Sequence, residues 1–137
     1  GSGVAGSRTS RNRGGRVEME ILLADDDTGT RELIKRALES DGHAVSTAQD
    51  GAEAAEKVAA EGHRFNLLIA DVDMPGLDGL SVARQAREVT AAIAVLLISA
   101  HDSALERASD VPGGRVETLS KPFALEDLRA KVAKALG

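Results

Sequence analysis

At 137 residues the chain has the length of one domain, and 42% apolar residues suffice for one sizeable core. It has no cysteine and no apolar run near the roughly 18 residues of a membrane helix, which excludes disulfides, thiolate metal sites and a spanning segment. The net charge of −5 is uneven: residues 1–16 hold Arg8, Arg11, Arg13 and Arg16 and no acid, which leaves −9 on the rest, a body that repels nucleic-acid phosphates.

Residues 1–16 are largely Gly, Ser and Arg with little to bury, so they are expected to be a disordered basic tail, native or appended, ahead of a folded domain over 17–137. The first strand is predicted over 19–24 and the first helix over about 28–40, with Leu33, Ile34, Ala37 and Leu38 as its apolar stripe. A strand over 44–48 precedes a helix opening at Asp50, where Glu53 stands at capping-box spacing. A strand over 67–70 leads to a helix marked by Leu80, Val82, Ala83, Ala86 and Val89. After a strand over 93–99 comes a short, weak helical stretch, 102–110, stopped by Pro112 and Gly113. A strand over 116–119 and a helix with Leu125, Leu128, Val132 and Leu136 on one face complete the chain. Only Phe65 and Phe123 are aromatic, so the core must be aliphatic. Five βα units, with first and fourth strands that lack polar alternation, predict an α/β fold: a doubly wound, five-stranded parallel sheet covered on both faces.

In such a sheet the functional site lies past the carboxyl ends of the strands. Asp25-Asp26-Asp27 follow the first strand, Asp71-Val72-Asp73-Met74-Pro75-Gly76 the third, Ser99-Ala100 the fourth and Lys121-Pro122 the fifth. Carboxylates brought together there repel one another and raise each other's pKa, and a hard divalent cation relieves the repulsion. With Mg2+ in place one carboxylate can attack a phosphoryl group, while a lysine and a hydroxyl hold the phosphoryl oxygens. Taken singly, each piece has an ordinary explanation: Asp27 as a helix cap, Met74-Pro75-Gly76 as a turn. Their coincidence at four strand ends points to a site.

These stretches, with Ile21-Leu22-Leu23-Ala24 before the acidic run and Leu119-Ser120-Lys121-Pro122-Phe123 at the fifth strand, resemble the CheY-like receiver domain of response regulators, of flavodoxin-like (βα)5 fold. The resemblance spans 17–137. It implies that Asp71 is phosphorylated, that Asp25, Asp26 and Asp71 bind Mg2+ with the backbone carbonyl of Asp73, and that Ser99, Ala100 and Lys121 bind phosphate, Ser99 as the switch hydroxyl. It also implies that the Lys121–Pro122 peptide is cis. Partners would be a histidine kinase or a histidine phosphotransfer protein, with no nucleic acid and no membrane, in the cytoplasm. The chain departs from the family at Thr118, where an aromatic switch residue is usual, and at 109–115, which lacks the usual Gly-Ala loop.

Of the histidines, His43 and His63 are expected to be solvated, whereas His101, two residues past Ser99, is a candidate for tuning the phosphoryl lifetime. Asp71-Val72-Asp73 also fits the Asp-x-Asp of haloacid-dehalogenase-type phosphatases, although there the motif follows the first strand and the acidic pair comes late. A phosphorylation-independent docking module is the other alternative. With no output domain after residue 136 of this sequence, the signal is expected to leave by protein contact through the face of the fourth helix, fifth strand and fifth helix. Residues 21–27, Arg36-Ala37-Leu38-Glu39 and 116–123 resemble CpdR-type single-domain regulators, which implies control of an AAA+ protease unfoldase.

Overall fold

Side-chain alternation decides how the strands are covered. In the first strand Ile21 and Leu23 belong to one apolar cluster and Leu22 and Ala24 to another, and all four are buried. The third and fourth strands repeat the division, with Leu67, Ile69, Leu96 and Ile98 on one side and Leu68, Ala70, Val95 and Leu97 on the other. No polar residue is needed on these strands because helices cover both faces. In the computed structural model, which describes residues 10–11 and 17–137, the strands are β1 (Glu20–Ala24), β2 (Ala44–Ala48), β3 (Leu67–Asp71), β4 (Ala94–Ser99) and β5 (Val116–Ser120). All pair in parallel, in the order β2-β1-β3-β4-β5. Edge strands β2 and β5 carry polar residues along their length, among them Ser46, Thr47, Glu117 and Thr118, all half-buried, whereas the inner strands have theirs at the ends: Glu20, Asp71 and Ser99.

The helices are α1 (Thr28–Ser40), α2 (Gly51–Glu61), α3 (Gly79–Val89), α4 (Asp102–Leu105) and α5 (Leu125–Leu136). Helices α1 and α5 pack on one face through Ile34, Leu38, Leu128 and Val132; α2 and α3 pack on the other through Ala54, Val58, Leu80 and Ala83. Three of the five starts are capped by aspartate. Asp27, Asp50 and Asp78 accept the backbone N–H groups of Thr30, Glu53 and Ser81 at 2.8, 2.8 and 2.9 Å. The capping-box Glu53 reaches back one residue further than usual, to the N–H of Gln49 at 2.8 Å. The weak fourth helix is a single turn that continues as a 3-10 segment, Glu106–Asp110. Leu33 and Val89, both expected on buried stripes, are 49% and 43% exposed. In α1 the contact falls on Ile34, Ala37 and Leu38, and Leu33 lies at the edge of that arc.

Ser10–Arg11 pairs antiparallel with Val17–Glu18 as a two-residue ribbon. The rest of 1–16, and with it the expectation of a disordered tail, lies outside the described residues. Among the described residues no helix is long and apolar enough to cross a membrane.

The segment that departs from the family pattern has its own anchor. Arg87, at the end of α3 and 7% exposed, donates to the carbonyls of Ile93, Pro112, Gly114 and Arg115 at 2.8, 2.5, 2.8 and 3.4 Å. The loop turns back on this guanidinium through three residues of positive φ: Gly113 at 89°, Gly114 at 61° and Arg115 at 54°. At Gly113 a side chain is barred twice, by φ and by space, since a Cβ would lie 2.7 Å from Arg87 Nη1.

Candidate functional site

Strand β1 is followed by α1 on one face, whereas β2 returns through α2 on the other before β3 forms, so the winding reverses between neighbours β1 and β3. A crevice opens at such a reversal. Asp25 and Asp26 follow β1 at this point, and Asp71 is the last residue of β3. Ser99 ends β4, and Lys121 follows β5 directly. The structure thus brings together the predicted residues that lie up to 96 positions apart in sequence.

Backbone donors hold the two buried carboxylates. Asp25, 1% exposed, accepts the Asp27 N–H at 2.8 Å; Asp71, 3% exposed, accepts the Asp73 N–H at 2.8 Å. Helix α3 begins so close to β3 that a Cβ on Gly79 would lie 2.5 Å from the Asp71 carbonyl oxygen. Only glycine allows that approach, which fixes the turn carrying Asp73.

Lys121 Nζ donates to Asp71 Oδ2 at 2.7 Å and lies 3.6 Å from Asp25 Oδ2. Burial pushes this ammonium down, but the hydrogen bond to Asp71 and the charges of Asp25 and Asp71 outweigh it and hold the lysine above its ordinary value. Burial also pushes the Asp25 carboxyl up, and the Asp27 N–H and Lys121 offset this only in part. Asp25 Oδ2 is fully buried and accepts no hydrogen bond. Buried Asp25, exposed Asp26 and buried Asp71 each offer one carboxylate oxygen, and the three oxygens lie within 4.8 Å of one another. A buried oxygen that accepts no hydrogen bond, with an ammonium 3.6 Å away, in an all-carboxylate donor set fits a hard divalent ion such as Mg2+.

The Asp73 side chain makes contacts that sequence reasoning missed: the receiver resemblance used only its backbone carbonyl, and the phosphatase alternative used the side chain as a general acid. Ser99 Oγ donates to Asp73 Oδ2 at 2.8 Å, and the Ala100 N–H donates to the same oxygen at 3.3 Å. His101 Nδ1 lies 3.4 Å from Asp73 Oδ1, and the His101 N–H donates to Ser99 Oγ at 2.9 Å. Burial raises the Asp73 carboxyl, but the bonds from Ser99, Ala100 and His101 outweigh it and leave its pKa below the ordinary value. A polar triplet Asp73, Ser99, His101 is visible in the sequence, but nothing in its spacing says that the three side chains meet.

Thr118 is half-buried and pairs in register with Leu97. The Lys121–Pro122 peptide is cis, as the resemblance implied. His63 is exposed as expected. His43 is not simply solvated: it is half-buried, and its Nδ1 accepts the Met19 N–H at 3.3 Å, tying the start of β2 to the residue before β1. Beside Lys121 opens a groove of about 360 Å3 lined by Thr30, Leu33, Ala100, Lys121, Pro122 and Phe123.

Comparison with known proteins bears on the family and the fold. The family model described as the response regulator receiver domain matches residues 21–133. The response regulator MprA of Mycobacterium leprae (strain TN) is 43% identical over 118 residues, 86% of this chain and 51% of that protein. MprA of Mycobacterium tuberculosis (strain ATCC 25177 / H37Ra) is 40% identical over 120 residues, 88% of this chain and again 51% of the relative. The chain therefore spans about half the length of these relatives. Among solved structures, a response regulator receiver domain protein from Clostridium thermocellum superposes with a TM-score of 0.76 at 28% identity, covering 86% of this chain and 94% of that one. The Vibrio cholerae chemotaxis protein CheY4 superposes with a TM-score of 0.77 at 27% identity, covering 87% and 99%.

Proposed function

The chain belongs to the response regulator receiver family, and from that premise we propose that Asp71 accepts a phosphoryl group from a phosphohistidine protein, or from a small phosphodonor, with Mg2+ bound at Asp25, Asp26, Asp71 and the Asp73 carbonyl. The observation that carries the reading is the placement of Asp71: a buried carboxylate at the crevice, with Lys121 Nζ at 2.7 Å and an acidic pair beside it. An Asp71 carboxylate oxygen forms the new O–P bond as the bond from phosphorus to the donor's leaving group breaks, and the leaving group departs with the electron pair. When bound, Mg2+ supplies neutralisation of the carboxylates and a hard contact for phosphoryl oxygens. Lys121, already within reach of Asp71 and Asp25, stabilises the charge that collects on those oxygens. Ser99 and the Ala100 N–H offer two further donors at the end of the neighbouring strand. The groove beside Lys121, with exposed Leu33 on its rim, gives a donor protein an apolar landing surface.

The signal leaves by contact in this reading. Ser99 Oγ accepts the N–H of His101, the residue that caps α4, and Ser120 Oγ donates to Asp102 Oδ1 at 3.1 Å, so a shift of Ser99 reaches the α4–β5 face without an aromatic at position 118. Delivery of substrates to an AAA+ unfoldase rests on the short CpdR-like stretches; the relatives reported above are MprA response regulators. A phosphatase using Asp73 as general acid fits less well, because its carboxylate is turned onto Ser99 and Ala100.

The test is phosphorylation by acetyl phosphate with Mg2+, read by intact mass. Wild type is expected to gain one phosphoryl group and Asp71→Asn none. Equal labelling of the variant would overturn the assignment.

A further inference from the structure

Two donors that a phosphoryl group on Asp71 would use are already engaged by an anion of the protein's own. The Ser99 hydroxyl and the Ala100 N–H both point to Asp73 Oδ2, at 2.8 and 3.3 Å. The Asp73 backbone N–H meanwhile donates to Asp71 Oδ1 at 2.8 Å, so one residue bridges the phosphoacceptor and the switch hydroxyl. We propose that the Asp73 carboxylate is an internal stand-in for the phosphoryl group: it latches Ser99 and Ala100 in the unphosphorylated domain, and loading of Asp71 requires its displacement. The inference rests on Asp71 being the phosphoacceptor.

Three features support the latch. Ser99 is fully buried, so its hydroxyl must find a partner inside the protein, and the partner within reach is a carboxylate. The Asp73 side chain is 34% exposed, so on release it can swing into water, which solvates a carboxylate well. Asp71 pairs in register with Ile98, the residue before Ser99, so the phosphoryl oxygens arrive beside the same two donors. A carboxylate and a phosphoryl group compete for one set of hydrogen bonds, and occupancy by the first lowers the apparent affinity for the second. Asp73 also reaches His101, at the N-cap position of α4, through Oδ1 at 3.4 Å from Nδ1, so release of the latch ends that contact as well.

Beryllium fluoride, which adds to an aspartate oxygen and mimics the phosphoryl group, is the probe, at saturating Mg2+. The chain has no Trp or Tyr, so binding is followed by amide NMR shifts rather than by intrinsic fluorescence. Asp73→Ala is expected to bind the probe roughly tenfold more tightly than wild type, the scale of one hydrogen bond to a charged group removed from competition. Asp73→Asn, which keeps the shape but not the charge, is expected to fall between them. The gain from Asp73→Ala should shrink to about twofold or less in a Ser99→Ala background, because the two residues act as a pair. Unchanged or weaker binding by Asp73→Ala would overturn the latch. So would the same tenfold gain with and without Ser99, which would make the effect one of pocket charge alone. Failure of every form, wild type included, to bind the probe would overturn the phosphoacceptor reading and the latch with it.

Discussion

The two ends of the sheet treat buried charge in opposite ways. At the amino end Arg87 is met by four backbone carbonyls, fixed dipoles that cannot leave without unfolding the loop they belong to. At the carboxyl end Asp25 keeps one buried oxygen without a hydrogen bond, and Asp71 is paired with a lysine on a flexible stem. A charge satisfied by rigid dipoles holds the fold together. A charge satisfied by movable side chains, with capacity to spare, remains available for a ligand.

That contrast is sharpest in substitutions. Arg87→Met should cost about 3 kcal/mol of stability in urea unfolding, because several carbonyls lose a charged donor at once and the strained loop loses its anchor. The folded fraction should still label with acetyl phosphate. A loss under about 1 kcal/mol would remove the distinction between the two ends. Lys121→Met should slow labelling by about 100-fold, the scale of one lost donor to developing charge. A rate within threefold of wild type would show that Lys121 is only a structural counter-ion.

Smaller effects probe the acidic pair. Asp26→Asn should weaken Mg2+ binding near tenfold, roughly the 1–2 kcal/mol of one charge at ligand distance, with little change in melting because Asp26 is exposed. Isothermal titration with the metal checks this, and unchanged affinity would move the cation elsewhere. Asp25 supplies the smallest effect. Its carboxyl titrates higher in the folded chain than in the unfolded one. Between those two values the folded form holds the extra proton, so the stability of metal-free protein should fall as pH rises through the window just above the ordinary carboxylate range. Asp25→Asn should flatten that part of the profile in urea midpoints taken across pH. An unchanged slope would assign it to another group.

Much of this architecture was legible beforehand, for identifiable reasons. Strands buried on both faces leave uninterrupted apolar runs, and each of the five predicted strands lies within one residue of its observed bounds. The site was legible because a parallel sheet sends every strand end to the same edge. The missing parts are those that depend on where a side chain turns in space. Arg87 looks like a solvated helix residue, yet it stands at Leu80 + 7 and Ala83 + 4, on the buried stripe; that position was the available signal. His43 and the Asp73 side chain gave no comparable sign, because their partners, Met19 and Ser99, lie 24 and 26 residues away in sequence. The fourth helix was short in both readings: Ser103, Ser109 and Asp110 favour it poorly and Pro112 ends it.

Chemical localisation of the phosphoryl group decides whether Asp71 is the phosphoacceptor. Wild type phosphorylated by acetyl phosphate is reduced with borohydride, which converts an aspartyl phosphate to homoserine, and the peptides are sequenced by mass spectrometry. Homoserine is expected at position 71 and nowhere else. Homoserine at Asp25, Asp26 or Asp73, or a phosphate that survives reduction as an ester on Ser99, would contradict it.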